Sequence, residues 1–307
     1  MKHLLFLKRT LLLLVLFFAF DYLFSLLIFN DLKKPFNLAN HPEILINGSS
    51  MSGSGFNVWE IEERTSMQIA TYIREGVSVM DRAAMIDHFF DMYPEGIRTV
   101  VYEVNPVLLS GMKTAENVYT HFLPFMDDRT IDRYVKEKAP RRAYYIHKLI
   151  RTTRFDSRNF ITIVAGLFGI TGDVKTNSLD EGMIRPLLAE KETEPIVINE
   201  ENRRVFEQSM QTILDHHADV ILVMMPMHIA KLQTFKAEDY QDLCRYYEAF
   251  SASRDHISFL DMNRDSMIYD GGNFSDPLHF NVNGSHRITD IISEYLTENQ
   301  GRAQAGI

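Results

Sequence analysis

The segment Ile44-Leu45-Ile46-Asn47-Gly48-Ser49-Ser50 joins an apolar run to a turn of glycine and serine. The apolar run predicts a strand buried on both faces, and Gly48 favours a tight turn at its end. A serine directly after such a strand emerges at the edge of the sheet, where open α/β folds form their sites. Ser50 is therefore a candidate nucleophile, and Ser49, Ser52 and Ser54 are alternatives for the same role.

Similar apolar runs recur along the chain, and helical patterns separate them. The predicted strands are residues 43–47, 67–72, 98–104, 219–225 and 257–261. The predicted helices include residues 78–93, capped by Ser78, residues 202–217, and a last helix with apolar residues from Ile288 to Leu296 on one face. This alternation predicts a parallel sheet covered by helices.

Residues 111–199 break this rhythm and are predicted to form a helical insertion between the third and fourth strands. The first half of the insertion is basic and aromatic, with Arg133, Lys136, Lys138, Arg141, Arg142, Tyr144, Tyr145, Lys148, Arg151, Arg154 and Arg158. A solvated helix face is the default interpretation of such a run, and contact with anionic lipid or an anionic polymer is the alternative. Residues 160–170 are apolar but too short to span a bilayer, so they would pack on the core, lie in the membrane interface or meet a partner.

The composition excludes several classes of protein. The 307 residues are 46% hydrophobic, which is enough for one large domain with an insertion. A net charge of -9 disfavours a nucleic-acid-binding protein. A single cysteine, Cys244, excludes an intramolecular disulfide and a cysteine-rich zinc site. Residues 48–55 contain no lysine, so they do not form a Walker-type phosphate loop. We expect neither a metal nor another cofactor.

The N-terminal region predicts a membrane anchor. Leu11 to Phe29 is a stretch of 19 residues, nearly all apolar, which is long enough to span a bilayer. Three basic residues precede it, so the N-terminus is expected in the cytoplasm and the body of the chain outside it, in the periplasm or beyond the cell. A cleaved signal peptide is the alternative, but the stretch is long and no small-residue cleavage site follows. We therefore expect residues 1–34 to be a cytoplasmic stub with its anchor, and residues 35–307 to be the catalytic domain.

Asp21 lies within this apolar stretch. An ionised carboxylate is costly in hydrocarbon, which favours a polar partner or a position near the membrane interface. A tilted helix that lets the side chain reach the interface is the other interpretation.

Asp276-Pro277-Leu278-His279 places a carboxylate three residues before an imidazole, on a loop that opens the last helix. The carboxylate can accept a hydrogen bond from one ring nitrogen and leave the other free to take a proton from a serine. Gly76 follows the second strand, and its backbone N–H has no side chain to keep an oxyanion away. Asn105 follows the third strand, and its amide is a second candidate donor. As single residues, these four also have ordinary explanations as turn or surface residues.

His228 follows the fourth predicted strand in Met225-Pro226-Met227-His228. This position is at the same edge of the sheet as the candidate nucleophile. His228 is a candidate for shaping an acyl or acceptor pocket, although a plain loop residue at a strand end is the simpler interpretation.

The order of Ser50, Gly76, Asn105, Asp276 and His279 resembles the SGNH (GDSL) hydrolase superfamily over roughly residues 43–110 and 200–297. The resemblance implies a flavodoxin-like three-layer α/β/α fold with a parallel five-stranded sheet. It also implies that Ser50 is the nucleophile, that His279 is the general base and acid, and that Asp276 orients His279. The oxyanion donors would be the N–H groups of Ser50 and Gly76 and the amide of Asn105.

The chain departs from the family pattern at two motifs. Gly-Asp-Ser appears as Gly48-Ser49-Ser50, and Gly-x-Asn-Asp appears as Glu103-Val104-Asn105-Pro106. Gly-Ser-Ser is common in membrane-anchored SGNH-like proteins that work beside membrane-bound O-acyltransferases. Together with the anchor and the basic insertion, this variant favours acyl transfer that adds acetyl groups to a cell-envelope polysaccharide or removes them, with an acyl donor, the polysaccharide and a multi-span acyltransferase as partners. The alternatives are a general SGNH esterase and a non-catalytic scaffold for the acyltransferase.

Overall fold

The structure is a computed structural model that describes residues 2–111, 117–155, 176–189 and 193–305. The apolar segment 160–170 and Arg158 lie outside the described residues. Contacts divide the chain into two compact units. The first, the anchor unit, is Met1–Pro35 with Ala115–Gly172, and the second, the sheet unit, is Phe36–Thr114 with Asp173–Ile307. The predicted insertion is thus divided between the two units.

Five parallel strands form the sheet in the order β2-β1-β3-β4-β5. The strands are β1 (Ile44–Gly48), β2 (Ile69–Ile73), β3 (Thr99–Val104), β4 (Asp219–Met224) and β5 (Ile257–Asp261). The prediction of a parallel five-stranded sheet is confirmed, and each strand begins and ends within two residues of its predicted bounds. The chain runs outward from β1 to β2 and then returns past β1 to β3. The order therefore reverses between β1 and β3, which opens a crevice at their carboxyl ends.

Eleven α-helices are described in these parts of the chain. They are α1 (Lys2–Leu32), α2 (Ser50–Gly55), α3 (Val58–Thr65), α4 (Val79–Met92), α5 (Arg129–Lys138), α6 (Arg141–Leu149), α7 (Glu181–Ala189), α8 (Glu200–Asp215), α9 (Ile229–Leu232), α10 (Ala237–Ala252) and α11 (Val282–Ala305). Short 3-10 helices include Val118–Phe125 and Arg151–Arg154.

Helices cover both faces of the sheet and make three layers. On one face, Ile61 of α3 and Ile288 of α11 share a buried cluster with Ile46 of β1. On the other face, Tyr102 of β3 meets Phe206 of α8, whose ring also contacts α10. Each large apolar side chain buried in these layers contributes about 1.5–3 kcal/mol relative to exposure. The observed α/β/α architecture confirms the predicted fold class.

Capping side chains set the starts of two helices. Ser78 and Asp81 form a capping box at α4, which agrees with the predicted cap. Helix α8 begins two residues before its predicted start, because the side chain of Asn199 accepts the N–H groups of Glu201 and Asn202. Satisfying these otherwise unpaired donors extends the helix toward its N-terminus.

In the anchor unit, α1 has 31 residues and is long and apolar enough to cross a membrane. Asp21 of α1 is only 2% exposed. Its carboxylate accepts the N–H groups of Arg151 and Thr152, each at 2.8 Å, and the Thr152 hydroxyl at 2.6 Å. Asp21 therefore caps the 3-10 helix Arg151–Arg154. Of the interpretations open from the sequence, the structure favours a polar partner, and that partner is in the same chain.

Candidate active site

Ser50 and His279, 229 residues apart, meet at the carboxyl edge of the sheet. The Ser50 Oγ lies 2.9 Å from the His279 Nε2. On the other side of the ring, Nδ1 lies 2.9 Å from both carboxylate oxygens of Asp276. The ring nitrogen facing Asp276 is the donor to an ionised carboxylate, which leaves Nε2 to accept the Ser50 proton. The structure thus brings the three predicted residues into one hydrogen-bonded chain.

The loop itself fixes the Asp276 carboxylate. Its Oδ1 accepts the backbone N–H groups of Leu278 and His279 at 3.0 and 2.9 Å. Burial opposes ionisation of Asp276, but the Leu278 N–H, the charge of His279 and the His279 hydrogen bonds outweigh it, so the pKa of Asp276 is lowered below 3.8. The carboxylate is charged at neutral pH and can hold the imidazole in one orientation.

The structure separates the four candidate serines. Ser50 is the first residue of α2 and contacts His279. The hydroxyls of Ser49 and Ser52 donate instead to the carboxylate of Glu103, at 2.6 and 2.5 Å. The Ser54 hydroxyl donates to the carbonyl of Met51. Of the four, Ser50 alone has its hydroxyl beside the imidazole.

Glu103 of β3 organises the turn that carries Ser50, a role that the sequence patterns do not indicate. Its side chain is fully buried. The carboxylate accepts five hydrogen bonds, from the N–H and hydroxyl of Ser49, the N–H and hydroxyl of Ser52, and the amide of Asn105. The available signal was a glutamate inside a predicted buried strand, since acidic residues are almost never fully buried without partners.

Gly48 is required for space rather than for a turn conformation, which corrects the role expected from the sequence. The residue belongs to β1 and pairs with Ile73 of β2. A Cβ at this position would lie 2.2 Å from the Ser52 Oγ and 2.9 Å from a carboxylate oxygen of Glu103. Only glycine lets the end of β1 approach α2 and Glu103 this closely.

Two of the predicted oxyanion donors lie within this network. Among described residues, the Ser50 N–H has no hydrogen-bond acceptor, whereas the N–H groups of Ser49, Met51 and Ser52 are all bonded. One amide N–H of Asn105 donates to Glu103 at 3.3 Å, which orients the group and leaves its second N–H unpaired within the described chain. Both are available to a developing negative charge.

The third predicted donor, Gly76, lies in an exposed turn beyond β2 with φ of 66°. This backbone conformation is one that glycine adopts readily. The turn accounts for the glycine by itself, and an oxyanion role for its N–H stays a prediction.

Arg82 of α4 links the carboxyl ends of β1 and β3, which border the crevice. Its guanidinium is fully buried, stacks over the ring of Tyr102 at 3.9 Å and donates to the side-chain and backbone oxygens of Asn47. It also donates to the backbone carbonyl of Glu103. Since Asn47 precedes Gly48 and Glu103 carries the network above, Arg82 braces both strand ends that support Ser50.

His228 lies beside the loop that carries the Asp276 and His279 side chains. Its backbone N–H donates to the carbonyl of Pro277 at 3.1 Å. Its ring is buried, packs edge-on against Phe274, and accepts the Ala230 N–H at Nδ1. These contacts support the loop, and a role for His228 in substrate binding stays a prediction.

We expect His228 to make the protein less stable in mild acid. Burial lowers the pKa of His228 below 6.5, and the nearby Asp270 offsets this only in part. The folded state therefore binds fewer protons, so its full stability holds above about pH 6.5 and declines as the pH falls below it. The measurement is the free energy of urea unfolding between about pH 7.5 and about pH 5.5. We expect His228→Gln, which does not titrate, to flatten this decline.

Comparison with known proteins finds distant structural similarities. No model of a known protein family matches the chain, and no curated protein matches it. A Streptococcus pneumoniae structure, provisionally described as a platelet activating factor, is 12% identical with a TM-score of 0.40, over 94% of this chain and 98% of the other. A lipase/acylhydrolase from Enterococcus faecalis is 10% identical with a TM-score of 0.41, over 84% of this chain and 96% of the other. At these scores neither similarity adds to what the sheet and the site geometry establish.

Proposed function

We propose that this protein is a serine-dependent acyl-transfer enzyme of the SGNH type. The observation that carries the proposal is the chain from Ser50 through His279 to Asp276, at the crevice where open α/β sheets bind ligands. A serine hydroxyl is a weak nucleophile until a base removes its proton, and an oriented imidazole at 2.9 Å is such a base. The unpaired Ser50 N–H and the Asn105 amide are the nearby donors.

The proposed reaction has two halves. In the first, the Ser50 Oγ attacks the acyl carbonyl while the His279 Nε2 takes the hydroxyl proton. The carbonyl oxygen becomes an oxyanion held by the Ser50 N–H and Asn105, and Gly76 would add a third donor. His279 then gives its proton to the leaving oxygen as the ester bond breaks. In the second half, His279 deprotonates water or a sugar hydroxyl, which attacks the acyl-serine. The protonated His279 then returns that proton to the Ser50 oxygen as the bond between the acyl group and Ser50 breaks.

The acceptor distinguishes a hydrolase from a transferase, and the catalytic residues serve both. The Gly48-Ser49-Ser50 variant and the apolar α1 support acyl transfer outside the cytoplasm, with O-acetyl groups added to or removed from a cell-envelope polysaccharide. A membrane-anchored protein whose N-terminus is cytoplasmic would present the site on the side where such a polymer lies. The acyl donor would come from a multi-span membrane O-acyltransferase.

The test uses the full chain in detergent with a chromogenic acetate ester. We expect hydrolysis, and we expect mass spectrometry of the acid-quenched protein to show an acetyl group on the peptide that contains Ser50. Adding an oligosaccharide acceptor should move acetyl groups to sugar hydroxyls and raise the rate of ester consumption, because water no longer has to complete the second half. Hydrolysis without transfer to any acceptor would indicate a general esterase rather than a transferase. No acetyl-serine and no hydrolysis would favour the scaffold and contradict the proposal.

A further inference from the structure

Helix α6 carries an outward face that is both apolar and basic. Tyr145, Ile146 and Leu149 are 54%, 42% and 64% exposed. Leu149 lies four residues after Tyr145 and three after Ile146, and these spacings place the three side chains on the same side of the helix. Arg141 and Arg142, in the first turn of α6, are also exposed. Aromatic and aliphatic side chains beside guanidinium groups are the composition of a helix that lies in a membrane interface.

Helix α6 is linked directly to the outer half of α1, within the same unit. The 3-10 helix Arg151–Arg154 follows α6 and is capped by Asp21 of α1. The Arg151 guanidinium also lies 4.9 Å from the ring centre of Tyr22. Further along α1, Phe29 packs against Phe125 at 5.6 Å. The exposed face of α6 is therefore held beside a helix that can cross a bilayer.

The polar contacts around Asp21 indicate where the membrane-spanning part of α1 must end. Asp21 has its three hydrogen bonds, and Asp127 forms ion pairs with Arg151 and Arg154 at 2.7 and 3.0 Å. Such groups are costly in a bilayer core. The segment before Asp21, residues 4–20, is apolar except for Lys8, Arg9 and Thr10. It spans about 26 Å, close to the hydrocarbon thickness of about 30 Å, so these contacts move the membrane span toward the N-terminus from the predicted Leu11 to Phe29. Lys8 and Arg9 lie near the N-terminal end of this segment, where their long side chains can extend to the lipid headgroups.

We propose that the face of α6 formed by Arg141, Arg142, Tyr145, Ile146 and Leu149 docks on an anionic lipid surface beside α1. Its apolar side chains enter the boundary between headgroups and acyl chains, and the two guanidinium groups bind lipid phosphates. Continuity with α1 and the positive charge of the face favour lipid over a protein partner. The anchor unit would then contact the membrane through both α1 and α6. This inference depends on insertion of α1 and is independent of the chemistry at Ser50.

The test places a fluorescent indole on this face in the full chain. Trp59, the single tryptophan, is first replaced by phenylalanine, and Tyr145→Trp is added. The protein is reconstituted in phosphatidylcholine vesicles with or without phosphatidylglycerol, and the lipids carry bromine near either end of the acyl chain. We expect quenching by the bromine nearer the headgroup, and protection from iodide in water. Both effects should be larger with phosphatidylglycerol, and Arg141→Gln with Arg142→Gln should remove that difference.

Leu12→Trp in the same Trp59→Phe background is the control for insertion, because Leu12 is an exposed residue midway along residues 4–20 of α1. Its indole should be quenched by the deeper bromine. Quenching at Leu12 but not at Tyr145 would overturn the proposal and leave the face of α6 for a protein partner. Quenching at neither position would show that α1 does not insert, which also overturns it. Ester hydrolysis, measured on the same samples, reports separately on the Ser50 site.

Discussion

Ser50→Ala is expected to lower the rate of ester hydrolysis by about four to six orders of magnitude, because the variant has no nucleophile and His279 has no proton to accept. The substitution removes one oxygen atom from a half-buried position at the start of α2. It leaves Ser49 in place as the N-cap that binds Glu103. The protein should therefore stay folded, with an unchanged circular dichroism spectrum and a similar unfolding midpoint.

Ser54→Ala is the matched control, since it removes the same atom from the same helix. The Ser54 hydroxyl donates to the Met51 carbonyl and accepts the N–H of Phe280, so its loss should cost stability of about 1 kcal/mol. We expect its hydrolysis rate to stay within about one order of magnitude of the unchanged chain. A Ser50→Ala protein that keeps most of its hydrolysis and still gains an acetyl-serine would assign the nucleophile to another serine.

The sheet was predictable because a strand buried on both faces is a continuous apolar run in the sequence. A run such as Ile44 to Ile46 can only be a buried strand or a buried helix, and its length and the glycine after it favour the strand. Since parallel strands end at one edge, the same reasoning predicts that Ser50 and Asn105 lie near each other. His279 is expected at the same edge, because its loop precedes a helix that packs on the sheet.

The buried contacts of Glu103 and Arg82 could not be predicted, because they depend on which side chains pair across the fold. Glu103 and Arg82 are charged residues that ordinary patterns assign to solvent, yet both are fully buried. Their partners are Ser49, Ser52 and Asn47, on segments far away in sequence. Periodicity records whether a position is inside, and it carries no information on which donor meets which acceptor. The same limit hid the capping of Arg151–Arg154 by Asp21.

Glu103→Gln is expected to lower kcat by about two orders of magnitude with little change in KM, through its effect on Asn105. One carboxylate oxygen accepts the two backbone N–H groups of Ser49 and Ser52, which have no freedom to reorient. Glutamine will keep its oxygen there and place its NH₂ at the other oxygen. At that position the Ser49 hydroxyl can rotate and become an acceptor, whereas the Asn105 amide meets another donor and must turn away. The free energy of unfolding should fall by about 1–3 kcal/mol.

A double-mutant cycle separates this positioning effect from a general loss of structure. Asn105→Ala alone should lower kcat by about two to three orders of magnitude, as expected for a lost oxyanion donor. If Glu103 acts by orienting Asn105, the double variant should be little slower than Asn105→Ala, because the amide that Glu103 holds is already absent. Multiplicative losses in the double variant would show that the two residues act independently. Glu103→Leu, which leaves the Ser49 and Ser52 N–H groups without an acceptor, should be clearly less stable than Glu103→Gln, since backbone donors at the start of α2 then stay buried and unpaired.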